Sequence, residues 1–169
     1  MSDPVYIVGV DPGVTTGICV IEIWDGKWRL LKRMTVDDVR DGGGLCALAT
    51  SVTWSLLNYV PAAMAMEQMM AYKTSAQEKA EAQGVIRLAA YQRQIPMHTY
   101  APTMIRTLVV GSGCAKASDI AKVTRELTGI THAKKGEAFD KHQQDALAAA
   151  LCCALKEGYL NILEPQEAP

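Results

Sequence analysis

Along the first part of the chain, apolar segments alternate with turn-forming residues in a pattern typical of β-strands. Val5–Val10 is a short apolar run, and Gly17–Trp24 and Lys27–Thr35 are further segments rich in β-branched and apolar residues. Asp25 and Gly26, between the last two segments, form a strong signal for a two-residue hairpin. This pattern predicts that the chain opens with a three-stranded antiparallel meander.

The remainder of the chain alternates helical and strand patterns. Apolar residues recur at helical spacing over Leu45–Tyr59, and the acidic, glycine-rich segment Asp37–Gly44 before it predicts a loop. The other predicted elements are, in chain order, a strand at Ala62–Met66, a helix from Ser75 to Gln94, a strand at Pro96–Tyr100, and helices at Ala101–Val110, Ser118–Thr128 and Asp140–Glu157. This order predicts an α/β fold with a mixed sheet flanked by helices.

Length and composition suit one domain. The chain has 169 residues, of which 49% are apolar and 21% charged. We expect a single domain over residues 1–158 and a partly mobile C-terminal tail over residues 159–169, which contain two prolines and two acids. No apolar run approaches the roughly 20 residues of a membrane span, and no basic region precedes an apolar stretch at the N-terminus. We therefore expect no membrane association and a cytoplasmic location in a bacterium or a phage-infected cell.

The distribution of charge indicates more than its total. The formal net charge is −1, but residues 73–141 contain 11 Lys and Arg against 6 Asp and Glu. Such a local surplus favours a basic face that contacts nucleic acid. The alternative is a solvated surface with no partner, which charge alone does not exclude.

Two carboxylates stand where predicted strands end. Asp11 follows the first strand and begins an Asp-Pro-Gly turn, and Glu67 follows the fourth strand. The carboxyl edge of an α/β sheet is where such folds bind ligands. The alternatives are that Asp11 only forms a turn, and that Glu67 only pairs with Lys73 or Lys79.

Two further candidate site residues lie at the start of the last predicted helix. His142 and Asp145 are three positions apart and share one helix face, while most of the helix is apolar and must lie flat on the sheet. Their alternative role is that of ordinary polar residues at a helix N-terminus, where acids are favoured. Asp140 is predicted to be the N-cap.

Together these four residues predict a metal site. Carboxylates brought close to one another repel, and a divalent cation removes that penalty. An oxygen-rich set with one imidazole suits Mg²⁺ or Mn²⁺ better than zinc. Two such ions can clamp the attacking water and the leaving oxygen of a phosphodiester, which predicts a nuclease.

The motifs resemble those of the RuvC family of Holliday-junction resolvases. The resemblance runs from about Tyr6 to Leu155 and depends on the order of VGVDPGVTTG, AMEQMMAYKTSAQEKAEAQGVIRLAAY, TYAPTMIRTLVVGSGCAKASDI and HQQDALAAAL. It implies a ribonuclease-H-like fold with a five-stranded mixed sheet, a homodimer, and metal-dependent cleavage of four-way or other branched DNA.

The resemblance also implies residue roles. Asp11, Glu67, His142 and Asp145 match the catalytic, metal-holding positions, although His142 could instead position the attacking water. Arg106 matches a basic residue near the DNA, and Lys116 lies one position from another family lysine. Met70 stands where the bacterial enzyme has an aromatic residue that opens the junction, and Tyr72 is its candidate replacement. The remaining candidate DNA contacts are Lys73, Lys79, Lys122, Lys134 and Lys135.

Two other functions compete with this interpretation. The segment DPGVTTG also resembles the phosphate loop of actin-like kinases and ATPases, which would make the chain half of a nucleotide site. A branched-DNA-binding module that no longer cleaves is the second alternative. Neither a partner helicase nor a cleavage-sequence preference is inferable from the sequence.

Overall fold

The first three strands form the predicted antiparallel meander. The structure is a computed structural model, and it describes residues 3–68, 76–130 and 139–165. The strands are β1 (Val5–Asp11), β2 (Thr16–Trp24) and β3 (Lys27–Val36). Asp25 and Gly26 connect β2 to β3 with φ values of 48° and 76°, the left-handed pair that a tight hairpin requires.

Two parallel strands complete the sheet. β4 (Ala63–Glu67) pairs with β1, and β5 (Met97–Tyr100) pairs with β4. The resulting order, β3-β2-β1-β4-β5, is the mixed five-stranded sheet expected from the sequence. Because β1 and β4 are parallel neighbours, their carboxyl ends lie at the same edge of the sheet.

The helices follow the predicted order. They are α1 (Gly42–Tyr59), α2 (Ala76–Gln92), α3 (Pro102–Val110), α4 (Ala117–Thr128) and α5 (Lys141–Lys156). The predicted loop before α1 was partly wrong, since its glycines form the first helical turn. The reason is local: the Asp41 side chain caps this turn by accepting a 2.8 Å hydrogen bond from the Gly44 N–H.

Helices cover both faces of the sheet. α1 and α2 cover one face over a core that includes Val8 and Val20, and α5 lies on the other over Ile7 and Ile21. Alternate residues of each central strand therefore enter different cores, which explains why these strands are apolar throughout. Among the described residues, no helix combines the length and apolar character that crossing a bilayer requires.

Helix α5 approaches the sheet unusually closely because two glycines lie under it. A Cβ placed on Gly9 would lie 2.0 Å from the Ala146 carbonyl oxygen, and one on Gly17 would lie 2.1 Å from that of His142. Both distances are far below van der Waals contact. Glycine at these positions therefore sets the height of α5 above β1 and β2.

Residues 159–165 fold back from the end of α5. Leu160 is 2% exposed and its N–H donates to the Ala154 carbonyl at 2.9 Å. Trp28 Nε1 donates to the Glu164 carbonyl at 3.0 Å, which joins this segment to β3.

Candidate active site

The ends of β1 and β4 bring two acids to one edge of the sheet. Val10 pairs with Met66 in the parallel ladder, so Asp11 and Glu67 follow at adjacent positions. Both side chains are half-buried. The strand register therefore explains how residues 56 positions apart in the sequence reach the same place.

The first turns of α5 bring the other two predicted residues to this edge. His142 Nδ1 lies 2.9 Å from Asp11 Oδ2, a distance at which the ring N–H donates to the carboxylate. Asp140 is the N-cap, as expected, because its side chain accepts a 2.9 Å hydrogen bond from the Gln143 N–H. This cap begins the helix immediately before His142.

The surroundings of Asp145 and His142 raise the pKa values of both side chains. Burial raises the pKa of Asp145 to about 6, and the charges of Asp11 and Glu67 act in the same direction, against that of Lys141. The hydrogen bond to Asp11 raises the pKa of His142, an effect that partial burial of the ring opposes. Burial, together with the two neighbouring carboxylates, thus raises the cost of ionising Asp145.

All four residues line one cavity of about 430 Å³. Three cationic residues from different helices line it as well, namely Lys79, Arg106 and Lys141. A cavity that combines several carboxylates with a cationic rim suits a substrate that is anionic and that approaches through a bound cation.

The turn after β1 forms a wall of this cavity. Gly13 and Thr16 bond reciprocally, since the Gly13 N–H donates to Thr16 Oγ1 at 3.2 Å and Thr16 Oγ1 donates to the Gly13 carbonyl at 3.0 Å. Thr16 is fully buried, and the Val14 carbonyl accepts from the Val39 N–H at 2.8 Å. These bonds fix the turn on both sides of the residues that face the cavity.

The donor set fits a hard divalent cation. Three carboxylates and one imidazole are the chemistry that Mg²⁺ and Mn²⁺ accept, and all four side chains line the same cavity. Within the described residues, no three His, Cys, Asp or Glu side chains are already arranged around a common ion position. In this conformation one carboxylate oxygen of Asp11 is hydrogen-bonded to the His142 ring. A bound cation would therefore compete with that hydrogen bond.

The predicted DNA contacts divide into three groups. Lys79 and Arg106 line the cavity and are half-buried. Lys116, the N-cap of α4, and Lys122 within α4 are exposed outside the cavity lining, and Lys122 lies 3.9 Å from Glu126. The remaining candidates lie outside the described residues; these are Met70, Tyr72, Lys73, Lys134 and Lys135.

Sequence reasoning missed one cavity residue and two supporting ones. Lys141 was not among the predicted site residues, yet it lines the cavity beside His142. A cation directly before a candidate ligand was the available signal. Gly9 and Gly17 gave no signal, because their importance depends on which helix lies above them.

Most of the chain matches a known protein family. The family model described as Crossover junction endodeoxyribonuclease RuvC matches residues 7–153. The chain belongs to the RuvC family. This membership agrees with the resemblance read from the motifs, and RuvC-family proteins are metal-dependent nucleases.

Individual RuvC proteins extend the match over nearly the whole chain. The chain is 36% identical to Crossover junction endodeoxyribonuclease RuvC of Mycolicibacterium vanbaalenii over 86% of this chain and 77% of that protein. It is 32% identical to the RuvC of Hydrogenovibrio crunogenus over 95% and 92% of the two chains. The solved Thermus thermophilus RuvC structure is similar with a TM-score of 0.79 at 25% identity, covering 95% of this chain and 99% of that one. T. thermophilus RuvC in complex with Holliday junction substrate has the same fold, with a TM-score of 0.80 at 24% identity, covering 96% and 99%.

Proposed function

We propose that this chain is a homodimeric, Mg²⁺-dependent endonuclease that resolves Holliday junctions or other branched DNA by symmetric nicks. One observation supports the proposal most strongly: Asp11, Glu67, His142 and Asp145 line a single cavity with three cationic side chains. Family membership supports the reaction class, because the similar curated proteins are named crossover junction endodeoxyribonucleases. It also favours a nuclease over the actin-like alternative.

The carboxylates of Asp11, Glu67 and Asp145, with the imidazole of His142, would hold two Mg²⁺ ions, for which Mn²⁺ could substitute. Bound divalent ions supply charge neutralisation at the scissile phosphate and lower the pKa of an attacking water. The protein's own contribution is to keep three acids and one imidazole together at the sheet edge. The hydrogen bond of 2.9 Å between His142 Nδ1 and Asp11 Oδ2 fixes the orientation of the ring.

Cationic side chains would hold the DNA backbone. Lys79, Arg106 and Lys141 surround the acids and would contact phosphates next to the cleaved bond. Lys116 and Lys122 lie farther out and would contact more distant phosphates. Affinity built on such contacts falls steeply as salt rises, so junction binding should weaken strongly between low and physiological salt.

Helix α2 provides the proposed dimer interface. Gly84, Leu88 and Tyr91 follow one face at helical spacing, and Leu88 and Tyr91 are 55% and 83% exposed. Among the residues that the structure describes, nothing lies within 4 Å of a Cβ placed on Gly84. A second copy could therefore approach along this face, and a two-fold pair of sites would match a two-fold junction.

A matched pair of substitutions tests this interface. Leu57 on α1 is 52% exposed, close to the exposure of Leu88. Leu88→Glu should convert dimers to monomers in sedimentation experiments, whereas Leu57→Glu should not. Dimers that survive Leu88→Glu, or that dissociate equally in both variants, would contradict an interface on α2.

The activity itself is tested by incubating the protein with a synthetic four-way junction, a Y-fork and linear duplex, with and without Mg²⁺ or Mn²⁺. We expect metal-dependent nicks at symmetric positions in the junction and little cleavage of duplex. Asp11→Asn should abolish nicking and leave junction binding largely intact. Junction binding without nicking at any metal concentration would instead identify a non-cleaving binding module, and nicking by Asp11→Asn would overturn the site assignment.

A further inference from the structure

Four polar side chains connect strand β3 to the beginning of α5. Arg33 Nη1 donates to Gln143 Oε1 at 2.9 Å, and Gln143 Nε2 donates to Thr35 Oγ1 at 2.9 Å. Thr35 Oγ1 in turn donates to Asp140 Oδ2 at 2.5 Å. A continuous chain of hydrogen bonds thus connects β3 to the N-cap and the first turn of the helix.

Gln143 is the centre of this network. It is 8% exposed, and both ends of its side-chain amide are paired. Its backbone is held as well, because its N–H donates to the Asp140 side chain and its carbonyl accepts from Cys19 Sγ at 3.2 Å. A residue held at four atoms from two strands and the N-cap has little freedom to move.

Arg33 also holds the chain on the other side of the N-cap. Its guanidinium lies 5.5 Å from the centre of the Phe139 ring, immediately before Asp140. Arg33 therefore contacts residues that precede and follow the cap, which fixes where α5 begins.

The network lies next to the candidate site but outside the cavity lining. Gln143 directly follows His142, whose ring is 2.9 Å from Asp11, and the backbone of His142 rests on Gly17. A displacement of the first turn would move His142 and Asp145 together relative to Asp11. Because misplacement of reacting groups by about 1 Å can reduce a rate on the order of 100-fold, such a network is worth more to turnover than to binding.

We propose that Arg33 and Thr35, acting through Gln143, are positioning residues that set His142 and Asp145 against Asp11 for metal-dependent cleavage. The proposal rests on the proposed nuclease function. It predicts that weakening the network slows turnover and impairs metal use without weakening DNA binding.

Arg29 offers a matched control on the same strand. It also bonds one side chain, Glu22 at 2.5 Å, and also lies over an aromatic ring, Trp24 at 5.4 Å, but these contacts do not reach α5. Arg33→Met should slow single-turnover junction nicking about tenfold or more and raise the Mn²⁺ concentration for half-maximal rate. Junction Kd measured in Ca²⁺ should stay within about twofold, and Arg29→Met should change none of these quantities.

Thr35 gives a second test that does not depend on Arg33. Thr35→Val removes the hydroxyl at nearly constant volume and should slow nicking as Arg33→Met does, while Thr35→Ser should restore the rate. Equal nicking rates and Mn²⁺ requirements in Arg33→Met, Arg29→Met and Thr35→Val would overturn the proposal. A rate loss in Thr35→Val that Thr35→Ser does not restore would also overturn it.

A spectroscopic measurement separates this proposal from the proposed function. The chain has three histidines, so the ring resonances of His142 are assigned by their loss in His142→Gln. In the metal-free protein, Arg33→Met should shift the His142 ring nitrogens and Arg29→Met should not. If the protein cleaves no DNA but these shifts appear, the proposed nuclease function is wrong, whereas the placement of His142 by Arg33 is supported. If it cleaves DNA and His142 is unchanged in Arg33→Met, the positioning fails alone.

Discussion

Each end of helix α5 carries a carboxylate, but the two carboxylates lie in different surroundings. At the C-terminal end, Glu157 Oε1 accepts from Tyr100 Oη at 2.9 Å and lies 3.4 Å from His98 Nδ1. At the N-terminal end, burial raises the pKa of Asp145 to about 6, and the charges of Asp11 and Glu67 act in the same direction. One carboxylate is thus paired with hydrogen-bonding side chains, whereas the other is buried beside two further acids.

The middle of the helix explains why this difference is tolerated. Every residue from Ala146 to Ala154 is buried, and Gly9 lets the helix backbone rest on the sheet. Burial of this apolar stretch stabilises the helix and offsets the cost of burying the carboxylate of Asp145 at its N-terminal end. A carboxyl group whose pKa is raised by burial and by neighbouring acids in a cavity is a feature of functional sites.

The largest expected effect comes from breaking the contact between the helix and the sheet. Gly9→Ala would place a methyl group 2.0 Å from the Ala146 carbonyl, so it should destabilise the protein by about 3 kcal/mol or more. Gly42→Ala in the first turn of α1 is the control, because among the described residues nothing lies within 4 Å of its Cβ, and it should leave stability unchanged or raise it by less than about 1 kcal/mol. Urea unfolding compares the two, and similar stabilities would contradict the close packing of α5.

The next effect concerns the raised pKa of Asp145 at the N-terminal end of α5. Because folding raises the pKa of Asp145, its contribution to stability is present below about pH 4 and is lost as pH rises through about 6. Asp145→Asn removes the ionisable group and with it the loss of stability at high pH. The metal-free variant should therefore be more stable than wild type at pH 8 by on the order of 2–3 kcal/mol. At pH 4 the difference should nearly vanish. A wild type that is equally or more stable than Asp145→Asn at pH 8 would contradict the raised pKa of Asp145.

Substituting a lysine at each end of α5 compares the contributions of the two ends to nicking. Lys141 lines the cavity, whereas Lys156 lies in the last turn. Lys141→Ala should slow nicking roughly tenfold, a smaller loss than for a buried donor to a developing charge. Lys156→Ala should change the rate less than about twofold, as expected for an exposed charge. Equal effects of the two substitutions in single-turnover assays would remove Lys141 from the site.

The smallest effect is expected at the C-terminal end. Tyr100→Phe deletes the hydrogen bond to Glu157 and should cost about 1 kcal/mol of stability. Nicking should be unchanged within about twofold, since this end carries no reacting group. A larger loss of rate than of stability would show that the two ends are not functionally distinct.

Much of this arrangement was predictable because it depends on local pattern. Short runs of apolar and β-branched residues and the Asp25–Gly26 turn predict the meander, and the long apolar run after Asp145 predicts a helix lying on the sheet. Asp11 and Glu67 were identifiable because acids at the ends of apolar strands are costly without compensation. The family motifs then connected these separate residues.

The remainder depends on contacts that have no local signature. Arg33 and Gln143 are 110 residues apart, and their hydrogen bond becomes visible only once α5 is laid beside β3. Gly17 resembles an ordinary strand residue until His142 is found above it. The first turn of α1 was missed because three consecutive glycines favour a loop, and the cap from Asp41 overrides that preference.

The most direct test of the account measures activity and stability in the same variant. Asp145→Asn and wild type should be compared at pH 8 by thermal unfolding without metal and by Mn²⁺-dependent single-turnover nicking of a four-way junction. We predict a variant that is more stable and that nicks on the order of 1,000-fold more slowly, with junction binding retained. A variant that keeps more than about a tenth of the wild-type rate would contradict the assignment of Asp145 and its neighbours to the active site.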